Sequence, residues 1–357
     1  MPDRTLAFVG SYTHESAVGI RVYDASERGG RLVELSQHEG IEHPSYLAVH
    51  PSGAILYAVS EMAGPDGGQL VALGVDPAAG TLRELGRVPS QGAAPCYVSV
   101  DRAGHCAYVA NYASGTVASY ALEHDGRFGE LIAAHQHEGS GPNARQDGPH
   151  AHCIVPGPAG ECVYSTDLGT DRVGRYAGDR RPDAGSFRLV DELAVDPGAG
   201  PRHLVFHPER PVGFLVCELD STIVMLGLDP NDGRLTRLGS HSTLPGDFEG
   251  ESIAAEVRVH PNGRHVYVSN RGHDSIAVFG VADDAQSLES LGHVASGGRT
   301  PRNFAVHPSG DTLFVANQDS DEIVAFGVDA QTGVPCPLDV TYAVSKPVCV
   351  TFAEVAR

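Results

Sequence analysis

Short apolar runs recur along the whole chain, and each is bounded by glycine, proline, asparagine or aspartate. Examples are ILYAVS from Ile55, CAYVAN from Cys106, HVYVSN from His265 and TLFVAN from Thr312. Runs of this length that are rich in β-branched and aromatic residues and closed by turn residues are typical of β-strands. The 3.6-residue period of an amphipathic helix is hard to find anywhere in the sequence. The pattern therefore predicts an all-β protein.

The apolar runs are organised into repeats. Each unit begins with one short run, passes through a turn such as HPSG at His50 or HPNG at His260, and continues with a second, a third and often a fourth run. The units start at Pro44, Pro95, Pro149, Pro201, Ala254, Pro301 and Pro347. Four short strands in a unit of about fifty residues is the pattern expected of β-propeller blades.

The two ends of the chain complete each other. Residues 5–13, TLAFVGSYT, have the character of a second strand without its first, and PVCVTFAEV from Pro347 has that of a first strand without the rest. Together they make one blade, which leaves no open sheet edge. The sequence thus predicts a seven-bladed β-propeller of four-stranded blades, closed by the C-terminal strand joining the N-terminal blade, with residues 1–357 as a single domain.

Composition narrows the possible partners and the compartment. The 45 acidic residues outnumber the 25 basic ones, and the net charge of −20 argues against nucleic-acid binding. No run approaches the roughly 18 apolar residues of a membrane span, and the start MPDRTLAFVG lacks the apolar region of a signal peptide. Seven cysteines without CxxC spacing indicate buried free thiols in a reducing compartment. We expect a cytoplasmic protein with no membrane or nucleic-acid partner.

One mouth of the propeller channel is predicted to be rich in polar groups. The start of a blade's first strand and the end of its second lie on the same face, because the two strands run antiparallel. Second strands are predicted to end at Ser11, Ser60 or Glu61, Asn111, Asp167, Cys217 or Glu218, Asn270 and Asn317. First strands begin with Ser45-Tyr46, Cys96-Tyr97, His150-Ala151, Arg202-His203, Ala255-Glu256, Arg302-Asn303 and Val348-Cys349.

Repetition separates scaffold from candidate function. A histidine before proline recurs at one turn position, which predicts a turn-capping role for each copy. The four copies are His50, His207, His260 and His307. Arg202 and His203, in contrast, stand where other blades carry Ser-Tyr, Cys-Tyr or Ala-Glu, so the fold does not demand them. The alternative interpretation of this basic pair is a salt bridge between blades.

Two histidines are candidates for proton transfer. His150 and His152 in GPHAHCIV lie two residues apart, so both side chains point to the same face of a strand. A His-x-His pair can ligate a metal, but no third ligand has a comparable signature, and we expect no metal site. Acid–base chemistry suits His150 better, because imidazoles titrate near neutral pH.

The remaining candidates are charged or amide side chains near the same mouth. Glu218 in CELDS and Arg271 in SNRGHDS are candidate catalytic residues, and Asp167 and Asp171 in STDLGTD are interpreted as loop caps. Candidate substrate-binding residues are His152, His203, Glu256, Arg258, Asn270, Arg302 and Asn303. For Glu256 and Arg258, a buried ion pair between blades is an equally good interpretation.

Five segments together carry a family resemblance: GPHAH, STDLGTD, GPRHLVFHP, AAEVRVHPNGRHVYVSNRGHDSIAVF and TPRNFAVHPSGDTLFVANQDSDEIVAF. They resemble the seven-bladed propeller lactonase family, which includes bacterial propeller-type 6-phosphogluconolactonases and the fungal 3-carboxy-cis,cis-muconate lactonizing enzyme. The resemblance spans essentially the whole chain. It implies opening or formation of a lactone ring at the channel mouth without a metal or organic cofactor. By motif position, the histidine, two arginines and glutamate proposed as catalytic in the lactonizing enzyme resemble His150, Arg202, Arg271 and Glu218, although the motif does not decide between His150 and His152.

The chemistry of these residues agrees with that implication. Lactone hydrolysis requires an activated water, which His or Glu can supply, and a stabilised oxyanion, which Arg can supply. A local cluster of Arg202, Arg258, Arg271 and Arg302 in an acidic protein favours an anionic lactone. We therefore expect a lactonase similar to 6-phosphogluconolactonase, with no cofactor.

Three alternatives are kept beside this expectation. The first is a lactonizing cycloisomerase of the carboxymuconate type, since the family covers both ring opening and ring closure. The second is a non-catalytic propeller that binds other proteins, which the lack of tryptophan and the aromatic content of 6% disfavour. The third is a lactonase that uses a divalent metal.

Overall fold

The computed structural model describes residues 4–64, 67–160, 162–177 and 187–356, and nearly all of its regular structure is β. The strands of the first half are β1 (Arg4–Ser11), β2 (Val18–Asp24), β3 (Val33–Glu39), β4 (Leu47–Val49), β5 (Ile55–Ser60), β6 (Gln69–Asp76), β7 (Thr81–Pro89), β8 (Pro95–Val100), β9 (Cys106–Asn111), β10 (Thr116–Leu122), β11 (Phe128–Gln136), β12 (Ala151–Pro156), β13 (Cys162–Asp167), β14 (Arg172–Ala177) and β15 (Arg188–Ala194). Those of the second half are β16 (Pro201–Phe206), β17 (Val212–Cys217), β18 (Thr222–Leu228), β19 (Leu235–Ser242), β20 (Ile253–Val259), β21 (His265–Arg271), β22 (Ser275–Val281), β23 (Leu288–Ala295), β24 (Pro301–Val306), β25 (Thr312–Asn317), β26 (Glu322–Val328), β27 (Pro335–Ala343) and β28 (Pro347–Val355). A 3-10 turn spans Gln318–Ser320.

These strands form seven antiparallel sheets of four strands each. Blade 1 has the order β28-β1-β2-β3, and blades 2 to 7 follow in chain order as β4–β7, β8–β11, β12–β15, β16–β19, β20–β23 and β24–β27. The first strand of each blade contacts the first strands of its two neighbours, which places these strands around the central channel. The predicted seven-bladed propeller is confirmed.

Ring closure is also as predicted. β28 pairs antiparallel with β1 from Arg4 opposite Val355 to Ser11 opposite Pro347. Every residue of β1 is buried. The C-terminal strand therefore supplies the innermost strand of blade 1 and covers an edge that would otherwise be open.

Two inner strands begin later than predicted. β4 begins at Leu47 rather than Pro44, because the chain turns at His43, whose φ is 48° and whose carbonyl accepts a hydrogen bond from the Ser45 N–H at 2.7 Å. β12 begins at Ala151 rather than Pro149, because the His150 N–H donates to the Asp167 side chain at 2.9 Å. In both places a turn or a side chain replaces the first sheet contact.

The repeated turn histidines link neighbouring blades. Nδ1 of His260 accepts a hydrogen bond from the Asn262 N–H at 3.1 Å, so the proton is on Nε2, which donates to the carbonyl of Gly310 in the next blade at 2.8 Å. The equivalent bonds join His50 to Gly104, His207 to Gly263 and His307 to Ala25. Turn capping is confirmed, and each imidazole additionally holds the next blade.

The glycine of the HPxG turn is explained by the same contact. Gly310 has a φ of 78°, and a Cβ at this position would lie 2.8 Å from Cε1 of the His260 ring. Both the left-handed backbone and the approach of the ring exclude a side chain. The glycine of the HPxG motif is therefore required both by the turn and by the contact with the neighbouring blade.

The hydrophobic core lies between adjacent sheets. The middle strands are buried throughout, as in β9 and β17, whereas the outermost strands alternate between exposed and half-buried positions. All seven cysteines are free, as predicted, and six of them are buried. The prediction of burial is wrong for Cys336, which is exposed because it lies on β27, the outer strand of blade 7.

Candidate active site

Polar side chains from several blades surround a small cavity at the predicted mouth of the channel. The antiparallel pairing of β16 with β17 and of β24 with β25 brings the starts of the inner strands beside the ends of the second strands. The cavity is lined by Ser45, Tyr46, Glu61, Cys96, His152, Arg202, His203, Arg302, Asn303 and Val348. Five of the predicted site residues therefore line one cavity.

Glu218 lies beside three arginines. Its Oε2 accepts a hydrogen bond from Nε of Arg202 at 2.9 Å and lies 2.8 Å from NH2 of Arg271, and its Oε1 lies 2.6 Å from NH1 of Arg145. The Glu218 and Arg202 side chains are 2% and 3% exposed. One buried carboxylate thus holds three cations that come from three different segments of the chain.

The charges in this cluster determine which protonation states exist at neutral pH. Burial acts to raise the pKa of Glu218, but Arg271 and Arg202 outweigh it and hold that pKa well below its usual range. Burial lowers the pKa of Arg271 to about 10, with Glu218 opposing the shift. Glu218 is therefore ionised and Arg271 is protonated, and Glu218 is a weak base.

His150 stands at the rim with one ring nitrogen committed. Its Nδ1 lies 3.0 Å from the carbonyl oxygen of Tyr112, and a carbonyl can only accept, so Nδ1 carries the proton. The ring stacks on the Tyr112 ring at a centroid distance of 4.5 Å. Nε2 lies 3.5 Å from Oδ1 of Asp147. In the tautomer with the proton on Nδ1, Nε2 therefore carries a free lone pair that faces the rim.

His152 is in a different environment from His150. It is buried, its Nδ1 lies 3.7 Å from Sγ of Cys96, and its ring meets that of His203 edge-on at 5.1 Å. Burial, together with Arg202 and His203, holds the pKa of His152 well below its usual range. His152 is thus a neutral wall of the cavity.

A second charged layer lies beneath the mouth. Nδ1 of His203 lies 3.1 Å from Oε1 of Glu256, and Oε2 of Glu256 lies 3.5 Å from NH2 of Arg258 and accepts a hydrogen bond from the Asn303 amide. Burial lowers the pKa of His203 to about 4. Arg258 and His203 overcome the effect of burial on Glu256 and lower its pKa to about 2. Glu256 and Arg258 both lie on β20, so their ion pair is within one blade rather than between blades as predicted; the contact between blades is that of Glu256 with His203 on β16.

Aromatic rings complete this second layer. Tyr46 and Tyr97 stack at 4.1 Å, and the His203 ring meets both edge-on at 5.7 and 5.1 Å. Arg258 donates to the Tyr46 hydroxyl at 3.3 Å. The layer therefore forms a packed floor under the cavity.

Comparison with known proteins agrees with this architecture. The family described as Lactonase, 7-bladed beta-propeller matches residues 6–352. This chain belongs to that lactonase family. It is 32% identical over 347 residues to a 6-phosphogluconolactonase of Bacillus subtilis (strain 168), covering 97% of this chain and 98% of the relative.

Solved structures of similar proteins cover this lactonase-family chain almost completely. The structure of a periplasmic gluconolactonase from Pseudomonas aeruginosa superposes with a TM-score of 0.92 at 29% identity, covering 99% of this chain and 100% of that one. A protein from Lactobacillus plantarum gives a TM-score of 0.90 at 33% identity, covering 98% and 100%. The fold and the family are thereby established.

The structure places Asn270, a predicted site residue, in a repeated scaffold position. Its amide donates to the carbonyl of Thr243 at 2.7 Å, and its carbonyl accepts from the Thr243 hydroxyl at 2.7 Å. Asn111 and Asn317 make the equivalent bond to the connection before their own blade, at 2.9 and 3.0 Å. The Asn270 side chain is engaged in holding this connection.

Arg145 is the member of the lactonase-family cluster that the sequence did not reveal. It comes from the connection between β11, which ends at Gln136, and β12, which begins at Ala151. The neighbouring Gln146 is fully buried and donates to Leu168 O and to Asp171 Oδ1, both at 2.8 Å, which fixes the loop. The length of this connection, fourteen residues, is the sequence signal that could have directed attention to it.

Of the two aspartates interpreted as loop caps, Asp167 caps its own loop, whereas Asp171 binds connections outside it. Oδ1 of Asp167 accepts from the N–H groups of Gly169 and Thr170 at 2.9 and 3.0 Å. Asp171 accepts from the N–H groups of Gly198 and Gly200 at 2.7 and 2.8 Å. Asp171 thereby joins the segment before β16 to the loop that carries Arg145.

The described ranges hold neither a metal-binding cluster nor a helix able to span a membrane. No group of three or more His, Cys, Asp or Glu side chains in residues 4–64, 67–160, 162–177 and 187–356 is arranged to hold a metal ion. Over the same part of the chain, no helix has the length and apolar character needed to cross a bilayer.

Proposed function

We propose that this protein hydrolyses an anionic sugar-acid lactone, of the kind represented by 6-phosphoglucono-δ-lactone, at the mouth that contains Glu218. The observation that carries the proposal is the buried cluster of Arg202, Arg271 and Glu218, which Arg145 and Tyr112 connect to His150, a histidine with a free ring nitrogen. This concentration of positive charge lies in a chain with a net charge of −20. The kinship with the Bacillus subtilis 6-phosphogluconolactonase supports the choice of substrate.

His150 is the residue that we assign as general base. A water oxygen attacks the lactone carbonyl carbon while its proton passes to Nε2 of His150, and the same proton then goes to the ring oxygen as the acyl C–O bond breaks. His150 suits this role because its Nδ1 is already committed to Tyr112 O and Asp147 lies beside Nε2. His152 suits it less, because it is buried and resists protonation.

Arg202 and Arg271 are assigned to the negative charge that develops on the lactone carbonyl oxygen. Fixed cations directed at a developing oxyanion stabilise the transition state without reorganisation. Glu218 holds both guanidinium groups, and its low pKa makes it a poor proton acceptor. Glu218 is therefore a positioning residue in this mechanism, rather than the base.

The reaction is tested by following lactone consumption in the first seconds after mixing, because aldonolactones open spontaneously. The wild-type protein should open 6-phosphoglucono-δ-lactone faster than buffer alone and faster than a muconate-derived lactone. His150→Ala should lower kcat by about 100-fold or more, whereas His152→Ala should lower it far less. The assignment of the base is wrong if these two variants behave in the opposite way.

Metal independence and location are proposed on separate grounds. We propose that catalysis needs no metal, because His150 and the arginines supply both the base and the oxyanion partner. Full activity after EDTA treatment is the expected result, and a loss of activity that zinc or calcium restores would contradict it.

We also propose a cytoplasmic location from the seven free thiols. Cell fractionation tests this, since a structural relative from Pseudomonas aeruginosa is named as periplasmic.

A further inference from the structure

Arg302 is a cation at the mouth of the channel, and Glu61 and Glu218 are the carboxylates near enough to stabilise its charge. It lies at the start of β24, is partly buried, and lines the cavity at the mouth. Its guanidinium carbon lies 5.5 Å from the centre of the Tyr12 ring, which is a cation–π contact. Within residues 4–64, 67–160, 162–177 and 187–356, the structure shows no ion pair and no side-chain hydrogen bond for Arg302.

The other arginines of the mouth are already engaged. Arg202 and Arg271 each bind Glu218 and also donate to a backbone carbonyl, Ala255 O at 2.7 Å and Ala254 O at 3.1 Å. Arg145 binds Glu218 and the Tyr112 hydroxyl. Of these four arginines, Arg302 is the one for which the described part of the chain shows no side-chain hydrogen bond, so its N–H groups can bind a ligand. A guanidinium of this kind matches the geometry of a phosphate or carboxylate.

A carboxylate lies on the same side of the cavity. Oε2 of Glu61 accepts a hydrogen bond from the Tyr12 hydroxyl at 3.1 Å, and Glu61 and Arg302 both line the cavity. Burial raises the pKa of Tyr12 to about 12, so the hydroxyl keeps its proton. Glu61 repels a bare anion but accepts hydrogen bonds from hydroxyl groups. The ligand that satisfies both residues has hydroxyl groups next to an anionic end.

We propose that Arg302, Tyr12 and Glu61 form the recognition site for the tail of the substrate, with Arg302 binding a terminal phosphate or carboxylate and Glu61 accepting from a neighbouring hydroxyl. This rests on the proposed lactonase function and specifies its substrate class as a polyhydroxylated lactone with an anionic tail. An unsaturated muconate-type lactone, which has carboxylates and no hydroxyl, does not satisfy Glu61. Arg302 is thus the residue that selects the charged substrate over its neutral analogue.

The test compares Arg302→Met with the wild type on two lactones that differ only at the tail. For 6-phosphoglucono-δ-lactone, the variant should raise KM by about 10- to 100-fold and leave kcat within about threefold. For unphosphorylated glucono-δ-lactone, kcat/KM should change by less than about threefold. Arg302→Lys should retain part of the preference, because charge remains and the fork is lost. Equal losses on both lactones, or an unchanged preference, would overturn the proposal.

Arg299→Met is the matched control. Arg299 is exposed, lies three residues before Arg302, and donates to Asp319 O at 2.7 Å, outside the cavity. The Arg299→Met variant removes one positive charge from the same segment but from outside the cavity, so it should leave the preference for the phosphorylated lactone unchanged. If Arg299→Met also abolishes the preference, long-range charge rather than a tail site is responsible, and the proposal fails.

Calorimetry separates this proposal from the proposed function. The open-chain acid 6-phosphogluconate, used as the probe, should bind the wild type and bind Arg302→Met at least 10-fold more weakly, whether or not the protein turns over a lactone. A carboxylate-ended sugar diacid in a second titration shows which anion is preferred. Wild-type binding that Arg302→Met leaves unchanged, or no wild-type binding of either acid, would sink the tail site even if lactones are hydrolysed.

Discussion

Replacing Glu218 by glutamine removes the one negative charge that three arginines share. The Glu218→Gln variant would keep the shape of the side chain, but its amide group would place N–H donors against guanidinium N–H donors. Arg202 would keep its bond to Ala255 O, and Arg271 its bond to Ala254 O. Two buried cations would then lack a counter-charge, and we expect the folded state to be destabilised.

The size of the effect follows from the exposure of each partner. The Arg202 and Arg271 side chains are 3% and 10% exposed, and breaking a buried pair of this kind costs about 3–5 kcal/mol. The Arg145 side chain is 44% exposed, and its pair is worth about 1 kcal/mol or less because solvent screens it. The free energy of unfolding of Glu218→Gln should therefore fall by about 3–5 kcal/mol, most of it from the two buried arginines.

Urea unfolding at pH 7 measures this free energy, with Arg145→Ala as the control that should cost about 1 kcal/mol or less. The double variant Glu218→Gln/Arg271→Met should recover part of the lost stability, because it removes one of the uncompensated charges. Kinetics on the folded fraction complete the assay. A positioning role lowers kcat but leaves the acid limb of the pH profile of kcat/KM where it was, whereas loss of the base removes that limb.

Two results would refute this reasoning. A loss below about 1 kcal/mol for Glu218→Gln would mean that the cluster is open to water and that burial does not set its energetics. Disappearance of the acid limb in Glu218→Gln, with the limb intact in His150→Ala, would make Glu218 the base in spite of its low pKa.

Three further predictions concern stability. Burial lowers the pKa of His203 to about 4 and also lowers the pKa of His152, so the unfolded chain takes up protons before the folded protein as the pH falls through about 6.5. The free energy of unfolding should therefore decline between about pH 6.5 and 4, by up to about 3 kcal/mol from His203 alone. A urea midpoint that stays constant over that range would contradict this. Deletion of residues 347–357 removes β28 and uncovers the fully buried β1, so calorimetry should show no cooperative transition, and an unchanged melting temperature would disprove the closure argument. His307→Ala should cost about 1–2 kcal/mol in urea unfolding and leave the kinetics of the folded fraction unchanged; a loss of turnover would mean that the opposite mouth is the site.

The fold was predictable because its signals are local and repeated. A turn such as HPNG and an apolar run such as HVYVSN recur at nearly constant spacing, and each copy supports the assignment of the others. The starts of two inner strands were not predictable in this way. The start of β4 depends on the left-handed backbone at His43. The start of β12 depends on the Asp167 side chain, which accepts the hydrogen bond of the His150 N–H in place of a backbone carbonyl of the neighbouring strand.

The candidate site was predictable where a residue departs from the repeat. Arg202 and Glu218 stand at positions that other blades fill differently, and the structure joins them at 2.9 Å. The same comparison excludes Asn270 as a departure from the repeat. Asn111 and Asn317 occupy the equivalent position in other blades and make the same bond, which marks it as a scaffold position. Arg145 could not be placed, because its reach to Glu218 depends on a long loop held by the buried Gln146.

The bonds between turns also affect how blades can be exchanged. Blade 6 carries both halves of the contact, since His260 donates to the carbonyl of Gly310 in the next blade, and Gly263 accepts from His207 of the blade before. A duplicated copy of blade 6 would therefore meet itself with a matching histidine and glycine and would need no redesigned boundary. A blade with only one half would leave an imidazole or a carbonyl unpaired at each junction. In the HPNG turn of blade 6 the histidine thus binds the next blade and the glycine carbonyl accepts from the blade before. Genetic duplication of a blade that contains such a turn therefore preserves the hydrogen bond between adjacent blades.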